Sequence, residues 1–492
     1  MIINRALCRF LPCGTAGVSL LVLTGCMVGP NYKRPLAPVP QNYKDYATIP
    51  PPSPPSGSWK QAIPGGSEMV RPEWWKFYDD DELNILEAKV ALSNQTLKAA
   101  YQAYVRSRQQ VKVDRSSLFP TLGIGATGSR QQVSMNRPFV FPGAKSLYSD
   151  MNLDGQASWE PDLWGGIRRT VESSSALSQA SSADLANATL SLQSELAVDY
   201  FQLRGLDSQQ QLLDDTVSAY RRYVELTAMR LHSGLSSESD LSLAQTQLDQ
   251  TIAQATDIGV ARAQYEDAIA TLIGVPASSF TLKPAPLRLV LPSIPAGLPS
   301  DLLERRPDIA AAERRIDAAN AEIGVAQAAF YPSLNLNGAG GFESASIGTW
   351  IQGPSALWAL GASAAETLFD AGRRRAVKAQ AIASYEQGTA TYKESVLQAF
   401  QEVEDNLAAT QILKREAGQQ ANAVADAQHS LNLSTSLYKS GLTNYLQVIM
   451  VQTTLLANQR TSVDIATRQA TASVQLFKAL GGGWDVTQMP KP

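Results

Sequence analysis

Apolar side chains recur at intervals of three, four and seven residues over four long stretches, at about 167–232, 236–273, 373–439 and 443–480. This spacing places them on one face of an α-helix, and no proline interrupts any of the four stretches. A helix of about 65 residues would span about 100 Å, which calls for neighbouring helices as coiled-coil partners. Gly234 and Gly441, each flanked by Ser and Leu, are the predicted turns between paired helices.

Apolar and polar residues alternate strictly from Met151 to Glu160. Such alternation is typical of an outer-membrane barrel strand, which turns its apolar face to lipid and its polar face to a lumen. Shorter alternation covers Leu122–Ala126 and Leu334–Gly338, whereas a fourth strand at Trp358–Glu366 alternates poorly and is predicted largely from its position in a repeat. Four strands cannot close a barrel, and lipid does not tolerate open strand edges, so we expect other copies of the chain to complete it.

The chain repeats itself once. Phe119-Pro120-Thr121-Leu122 matches Tyr331-Pro332-Ser333-Leu334, and Trp164–Arg169 matches Phe369–Arg374. These matches predict a tandem duplication of about 200 residues, in which a helical segment, at about 80–117 and 300–329, precedes the alternating strands and the long helices. The predicted fold is therefore α+β and mainly α, with a first repeat at 73–274, a linker at 275–299, a second repeat at 300–481 and a tail at 482–492.

The start of the chain has the order of a lipoprotein signal. Arg5 and Arg9 precede an apolar stretch that ends in Leu23-Thr24-Gly25-Cys26, which resembles a bacterial lipobox. Residues 1–25 are thus predicted to be a signal peptide and Cys26 to be the site of lipid (diacylglycerol, palmitate) attachment. Met27 rather than Asp follows the cysteine, which predicts sorting to the outer membrane. An ordinary signal peptide with a chance cysteine is the alternative.

Residues 26–72 are predicted to be a lipid-anchored strap. The segment is rich in Pro, Gly and Ser and includes the run Pro50–Pro55, which favours extended polyproline structure over a packed core. The aromatic residues expected to pin this strap to the folded body are Trp59, Trp74, Trp75, Phe77 and Tyr78.

The composition argues against nucleic-acid binding and against metal or cysteine chemistry. The balance of 42 Lys+Arg against 45 Asp+Glu gives no electrostatic footprint for nucleic acid. Two His and three Cys leave little material for metal or cysteine chemistry. We therefore predict no enzyme, no metal and no cofactor beyond the covalent lipid. The arginines at 168–169 and 373–375 are expected to form a membrane-boundary or solvated collar.

In combination, the lipobox at Cys26, Gly29-Pro30-Asn31-Tyr32, the duplicated aromatic-Pro motif, Arg305–Ile309 and Leu368–Arg374 resemble the outer membrane factor family of TolC-like, OprM-like and NodT-type proteins. The resemblance implies a homotrimer in the outer membrane, with four strands per protomer in one 12-stranded β-barrel and long helices forming a periplasmic α-barrel. It also implies a periplasmic adaptor and an inner-membrane transporter, of the RND type, as partners. The implied function is a passive exit duct of a tripartite efflux pump for drugs or other small toxic solutes, which contributes to antibiotic resistance.

The resemblance assigns roles to the predicted turns. Gly234-Leu235 and Gly441-Leu442 are the candidate adaptor contacts, although a glycine there also serves as a left-handed helix cap. Asp240 and Tyr438 match family positions at which a Tyr-to-Asp hydrogen bond holds the tunnel shut. An N-capping role for Asp240 and a core role for Tyr438 remain the alternatives.

The chain departs from the family in the helix after the second turn. Where relatives commonly carry constricting aspartates, this sequence has Gln447 and Met450, with Tyr445 nearby. We therefore expect a gate that is apolar or hydrogen-bonded, with weak cation selectivity and weak block by multivalent cations. The alternative functions are a periplasmic coiled-coil lipoprotein without a pore and a type I secretion exit duct.

Overall fold

The computed structural model describes residues 27–40, 43–44, 73–138, 143, 145–292 and 302–490. Cys26, the signal peptide and most of the strap, including Trp59, lie outside them. The helices are α1 Asp81–Ser93, α2 Gln95–Ser116, α3 Gly166–His232, α4 Glu238–Leu272, α5 Leu302–Arg305, α6 Pro307–Ala328, α7 Arg373–Lys439 and α8 Tyr445–Ala479. The strands are β1 Thr121–Gln132, β2 Leu147–Trp159, β3 Ser333–Ser344 and β4 Ala356–Ala365. The prediction of a mainly helical chain with a few antiparallel strands is confirmed.

The two halves of the chain contain the same elements in the same order. Helices α3 and α7 each have 67 residues, and helices α4 and α8 each have 35. Strands β1 and β3 each have 12 residues. The four long helices predicted from apolar spacing are therefore confirmed. Over the described residues, none of the helices combines the length and the hydropathy needed to cross a bilayer.

The helical segment predicted at about 80–117 is two helices rather than one. Asn94 has an extended backbone (ψ 126°), and its side chain accepts a hydrogen bond from the Leu97 amide (2.9 Å) and donates one to the Leu272 carbonyl (2.8 Å). An asparagine that bonds backbone groups on both sides competes with the helix. The second segment breaks at Arg306 because the following residue is Pro307, which disfavours helical backbone at the residue before it.

The chain folds into two compact units. Of the described residues, unit 1 comprises 27–32, 111–138, 143, 145–174 and 319–384, and unit 2 comprises 33–40, 43–44, 73–110, 175–292, 302–318 and 385–490. The core of unit 2 includes a 3-10 helix, Trp74–Tyr78, whose Trp74 stacks on Phe477 of α8 at 5.6 Å between ring centroids. Trp74, Trp75 and Tyr78 are buried, whereas Phe77 is 41% exposed and stacks on Phe477 at 5.7 Å between ring centroids.

Unit 1 contains one antiparallel sheet in the order β1-β2-β3-β4. Thr121 pairs with Ser158, Met151 with Ser344, and Ser333 with Ala365. Both outer strands, β1 and β4, pair on one side only among the described residues. Their apolar residues Leu122, Ile124, Trp358 and Leu360 are each 78–82% exposed. The structure therefore confirms the four predicted strands, and the described part of the chain leaves both outer edges of the sheet free.

The first described residues are held in unit 1 by Arg169, whose side chain is fully buried. Its guanidinium donates to the carbonyls of Val28 (3.1 Å) and Gly29 (3.3 Å) and to the side-chain oxygen of Asn31 (2.9 Å). It also pairs with Glu172 at 2.8 Å. The expected solvated collar is wrong for Arg169, because every nitrogen of its guanidinium donates to a group inside the protein.

Candidate functional site

The turn between α3 and α4 and the turn between α7 and α8 have the same geometry. Gly234 (φ +70°) and Gly441 (φ +77°) lie in the left-handed region that glycine enters without steric cost. The Leu235 amide donates to the Arg230 carbonyl (2.8 Å), and the Leu442 amide donates to the Leu437 carbonyl (2.9 Å). These six-to-one bonds define a Schellman motif, which ends each long helix.

The residue after each turn glycine points away from the packed interior. Leu235 is 67% exposed and Leu442 is 75% exposed. In unit 2, these two leucines, their glycines, Arg230 and Asp240 line an open groove. Each helix hairpin thus presents one large apolar side chain at its end.

The helix that follows each turn begins with a side-chain cap. In α4, the Ser237 hydroxyl accepts from the Asp240 amide and the Asp240 carboxylate accepts from the Ser237 amide, both at 3.1 Å. This reciprocal capping box satisfies two backbone donors. In α8, Asn444 accepts from the Gln447 amide at 3.3 Å. Gln447 therefore occupies the position in the second repeat that Asp240 occupies in the first.

The capping role also stabilises the charge of Asp240. Partial burial opposes ionisation, but hydrogen bonds from the Ser237 amide and from the hydroxyls of Ser236 and Ser237 lower the pKa of the carboxyl below its ordinary value. Asp240 is therefore a carboxylate at neutral pH.

Tyr438 and Tyr445 lie in a buried cluster beneath the turns, with ring centroids 5.4 Å apart. Ala244 of α4 and Val448 of α8 complete this cluster. The Tyr438 hydroxyl forms a long hydrogen bond (3.4 Å) with the Thr227 hydroxyl. Burial raises the pKa of the Tyr445 hydroxyl above its ordinary value. Both tyrosines thus pack the interior of unit 2.

The structure brings the predicted gate residues into one region but does not join the predicted pair. Among the hydrogen bonds of the described residues, Asp240 bonds Ser236 and Ser237, and Tyr438 bonds Thr227. The Tyr438-to-Asp240 bond stays a prediction. Gln447 and Met450 lie on the exposed face of α8, and Met450 is 58% exposed.

Three further residues shape this region without a signal in the sequence. The Arg230 guanidinium lies 4.8 Å from the centroid of the Tyr438 ring, a cation–π contact. The Tyr223 hydroxyl bonds the Thr435 hydroxyl at 3.0 Å. Tyr223 and Thr435 are 212 residues apart, so no local sequence pattern predicts their contact. The internal repeat shows only that their helices, α3 and α7, are equivalent elements of the two halves.

A larger groove of about 760 Å³ lies between α3, α7 and α8 in unit 2. Its lining is mostly polar and includes Tyr220, Tyr223, Asn432 and Gln452. Among the described residues, no group of three or more His, Cys, Asp and Glu side chains is arranged to hold a metal ion.

The chain is similar to efflux proteins over nearly its whole length. The model of the family described as outer membrane efflux protein matches residues 88–275 and 298–482, one stretch in each half of the chain. The solvent efflux pump outer membrane protein SrpC of Pseudomonas putida is 31% identical over 485 residues, which cover 96% of this chain and 98% of that protein. The outer membrane protein OprJ of Pseudomonas aeruginosa is 30% identical over 469 residues, 94% of each chain.

A solved structure has the same fold. The open state of the Neisseria gonorrhoeae MtrE outer membrane channel matches with a TM-score of 0.80 and 26% identity, over 93% of this chain and 98% of that one. The sequence-based family resemblance is confirmed, and with it the prediction of a transport duct rather than an enzyme. The chain belongs to the outer membrane efflux protein family.

Proposed function

We propose that three copies of this chain form the outer-membrane exit duct of a tripartite efflux pump. The duct passively conducts drugs or other small toxic solutes from an inner-membrane transporter, through a periplasmic adaptor, to the outside. In this proposal each protomer gives four strands to a 12-stranded β-barrel, and its long helices line a periplasmic tunnel. Lipid on Cys26 anchors the chain in the outer membrane.

The observation that carries this proposal is the open sheet. Over the described residues, β1 and β4 have free edges whose apolar residues, such as Leu122 and Trp358, are largely exposed. Unpaired backbone donors and acceptors cost several kcal/mol each in a bilayer, by an order-of-magnitude estimate, so such a sheet must be closed by further strands. Further copies of the chain supply strands of matching length and pattern.

The turns supply the proposed adaptor contacts. Leu235 and Leu442 are exposed at geometrically equivalent Schellman turns, so the two hairpins of a protomer offer similar apolar points. A partner that recognises one hairpin can recognise the other, which suits an adaptor that surrounds a ring of hairpins. The Pro-rich start of the chain, with its lipobox, resembles the efflux branch of the family more than type I secretion. The transporter behind the adaptor is proposed to be of the RND type.

The proposed gate lies just beyond the turns. Gln447 and Met450 are exposed on α8, where they can face a pore, whereas Tyr438 and Tyr445 position that helix from the protomer interior. A neutral amide and a thioether attract cations weakly. The proposed gate is therefore hydrogen-bonded and apolar. Asp240 caps the start of α4 and is also proposed to hold the gate shut by accepting a hydrogen bond from Tyr438.

Dye efflux in a strain that lacks this chain tests the proposal. The parent chain should restore low accumulation of a fluorescent efflux substrate, and the double variant Leu235→Asp/Leu442→Asp should not, although it still reaches the outer membrane. Leu92→Asp alters an equally exposed leucine outside the turns and should behave like the parent. Unchanged dye accumulation on loss of the chain, with lost export of a protein substrate, would favour the type I secretion alternative. Unchanged export of both would favour the coiled-coil spacer.

A further inference from the structure

The free edges of the sheet indicate both that further strands are needed and the register in which those strands pair. The proposed trimer requires β4 of one copy to meet β1 of the next, but it does not say which residues lie opposite each other. A register shift of one residue moves every side chain of a strand to the opposite face of the sheet. A shift of two residues keeps each side chain on its face but changes the residue that it pairs with. The internal repeat of this chain selects one of these registers.

The first strands of the two repeats are equivalent residue by residue. β1 begins at Thr121 and β3 begins at Ser333, 212 residues later, and both strands run for 12 residues. Thr121 pairs with Ser158 of β2, and Ser333 pairs with Ala365 of β4. Ser158 and Ala365, which are 207 residues apart, therefore hold equivalent positions. The turn glycines Gly234 and Gly441 have the same separation of 207.

The pairing of β2 with β3 already shows how the first repeat meets the second. In a closed ring of alternating repeats, the pairing of β4 with β1 of the next copy is the equivalent junction from second to first. The observed pair Met151↔Ser344 then corresponds to Trp358↔Gln132. The observed pair Gln156↔Ala339 corresponds to Ser363↔Thr127, and Ser158↔Asn337 corresponds to Ala365↔Gly125.

We propose that β4 of one protomer pairs antiparallel with β1 of the next in this register, with Ser363 opposite Thr127 of the neighbouring copy. This inference rests on the proposed trimeric duct and specifies its subunit contact.

The faces of the strands agree with this register. Ile124, Ala126 and Gly128 lie on the apolar face of β1, where Leu122 also lies, and Trp358, Leu360, Ala362 and Ala364 form the apolar face of β4. The proposed register puts Ala362 opposite Gly128 and Ala364 opposite Ala126, so the apolar faces coincide. A shift of one residue in either direction would set the apolar face of one strand beside the polar face of the other. The competing registers are therefore shifts of two residues, which place Ser363 opposite Ser129 or Gly125.

Disulfide crosslinking of the full-length protein in outer-membrane vesicles distinguishes these registers. Thr127→Cys/Ser363→Cys is the in-register pair, and Ser129→Cys/Ser363→Cys and Gly125→Cys/Ser363→Cys are the slipped controls. A side chain at Gly125 has room, because its Cβ would meet nothing closer than the Asp154 carboxylate at 3.6 Å. After signal cleavage the natural chain retains Cys26 alone, which is the predicted lipid site.

Mild oxidation should convert the in-register variant into covalent dimers and trimers on a non-reducing gel about tenfold faster than either control. Directly opposed Cβ atoms lie about 4.5–5.5 Å apart, so a small approach of the two strands reaches the roughly 3.5–4.5 Å of a disulfide, whereas diagonal ones lie about 7–8 Å apart. Ala126→Cys/Ala364→Cys repeats the test on the apolar face. Each single-cysteine variant should remain monomeric on the gel.

Two outcomes would overturn the proposal in different ways. Faster crosslinking of a slipped pair would show that the register is wrong while the ring of copies exists. Thr127→Cys/Asn152→Cys joins residues that are paired within one chain and serves as the positive control, read as loss of free thiol. If that internal disulfide forms and none of the intermolecular pairs crosslinks, both the register and the proposed trimeric barrel fail.

Discussion

Single residues decide how the chain is held just after the predicted lipid site. Gly29 has φ +97°, and a Cβ placed on it would lie 2.4 Å from the Cα of Gly324 in α6. The Val28 amide donates to the Trp164 carbonyl at 3.1 Å, and the Asn320 side chain donates to the Pro30 carbonyl at 2.9 Å. The motif Gly29-Pro30-Asn31-Tyr32 is visible in the sequence. The residues that it packs against are not predictable from the sequence, because Asn320 and Gly324 belong to the second repeat and Asn320 lies 290 residues from Pro30.

Gly29→Ala should release this segment. The substitution combines a left-handed backbone, which costs alanine about 1–2 kcal/mol, with a clash against backbone that cannot move aside. Hydrogen exchange at residues 27–31 should accelerate by about tenfold or more, since each 1.4 kcal/mol of opening free energy is about a factor of ten. Gly372→Ala has a similar φ of +88° with open space around it and should leave this exchange unchanged. Equal exchange in both variants would contradict the contact with Gly324.

Asp199 of α3 gives a pH-dependent prediction. Burial, with a smaller contribution from Glu195, raises the pKa of Asp199 from its ordinary value of 3.8 to about 6. A raised carboxyl pKa favours the folded state at low pH, and this contribution is lost as the pH rises from about 4 through about 6. Asp199→Asn should therefore raise the melting temperature at pH 7.5 and change it less at pH 4.5, measured by scanning calorimetry in detergent. A larger gain at pH 4.5 would contradict this assignment.

At the scale of elements, the long helices were the most predictable part of the chain. Their spacing and freedom from proline predicted 373–439 for α7, which is Arg373–Lys439. Strand β4 is harder to predict from sequence because Ala359 and Gly361 stand on its polar face, so apolar and polar positions hardly alternate. Its pairing with β3 identifies it as a strand in the structure. The sequence does not predict the break at Asn94, because the hydrogen bond from its side chain to the Leu272 carbonyl joins residues 178 positions apart. Local patterns thus predict elements, whereas distant hydrogen bonds set where some of them end.

Variants at the start of α4 distinguish two roles for Asp240, helix capping and gate closure. If Asp240 serves only as a helix cap, Asp240→Ala and Ser237→Ala remove the same capping box and should behave alike, each costing about 1 kcal/mol of helix stability. If Asp240 also holds the gate, Asp240→Ala should raise single-channel conductance and vancomycin entry, whereas Ser237→Ala should not. We expect the second result, with Tyr438→Phe resembling Asp240→Ala. If both Asp240→Ala and Tyr438→Phe show the conductance of the parent channel, the predicted Tyr438-to-Asp240 hydrogen bond is wrong.

At the scale of the whole molecule, the duplication explains both the sheet and the helices. Helices of 67 and 35 residues recur in both halves, and the strands recur with offsets of 212 and 207 residues. The sequence matches indicated this duplication directly. The composition alone suggested neither it nor a membrane protein, because the mean hydropathy of −0.14 averages apolar strand faces with polar helices.

The gate chemistry predicts how the assembled pore responds to ions. With Gln447 and Met450 exposed on α8, the parent channel should show little block by trivalent cations. Gln447→Asp would place one carboxylate per protomer at this level and should strengthen both the block and the cation selectivity. Gln447→Asn keeps the amide and serves as the control. Strong trivalent block in the parent channel would contradict the predicted gate.

The conductance of the purified, detergent-solubilised protein in a planar lipid bilayer, with the mass of the same particles determined in parallel, tests the trimeric exit duct directly. We expect particles of three chains that insert and open discrete channels. A monomeric protein, or a trimer that inserts without conducting even after Asp240→Ala, would contradict the central claim that this chain forms a trimeric exit duct.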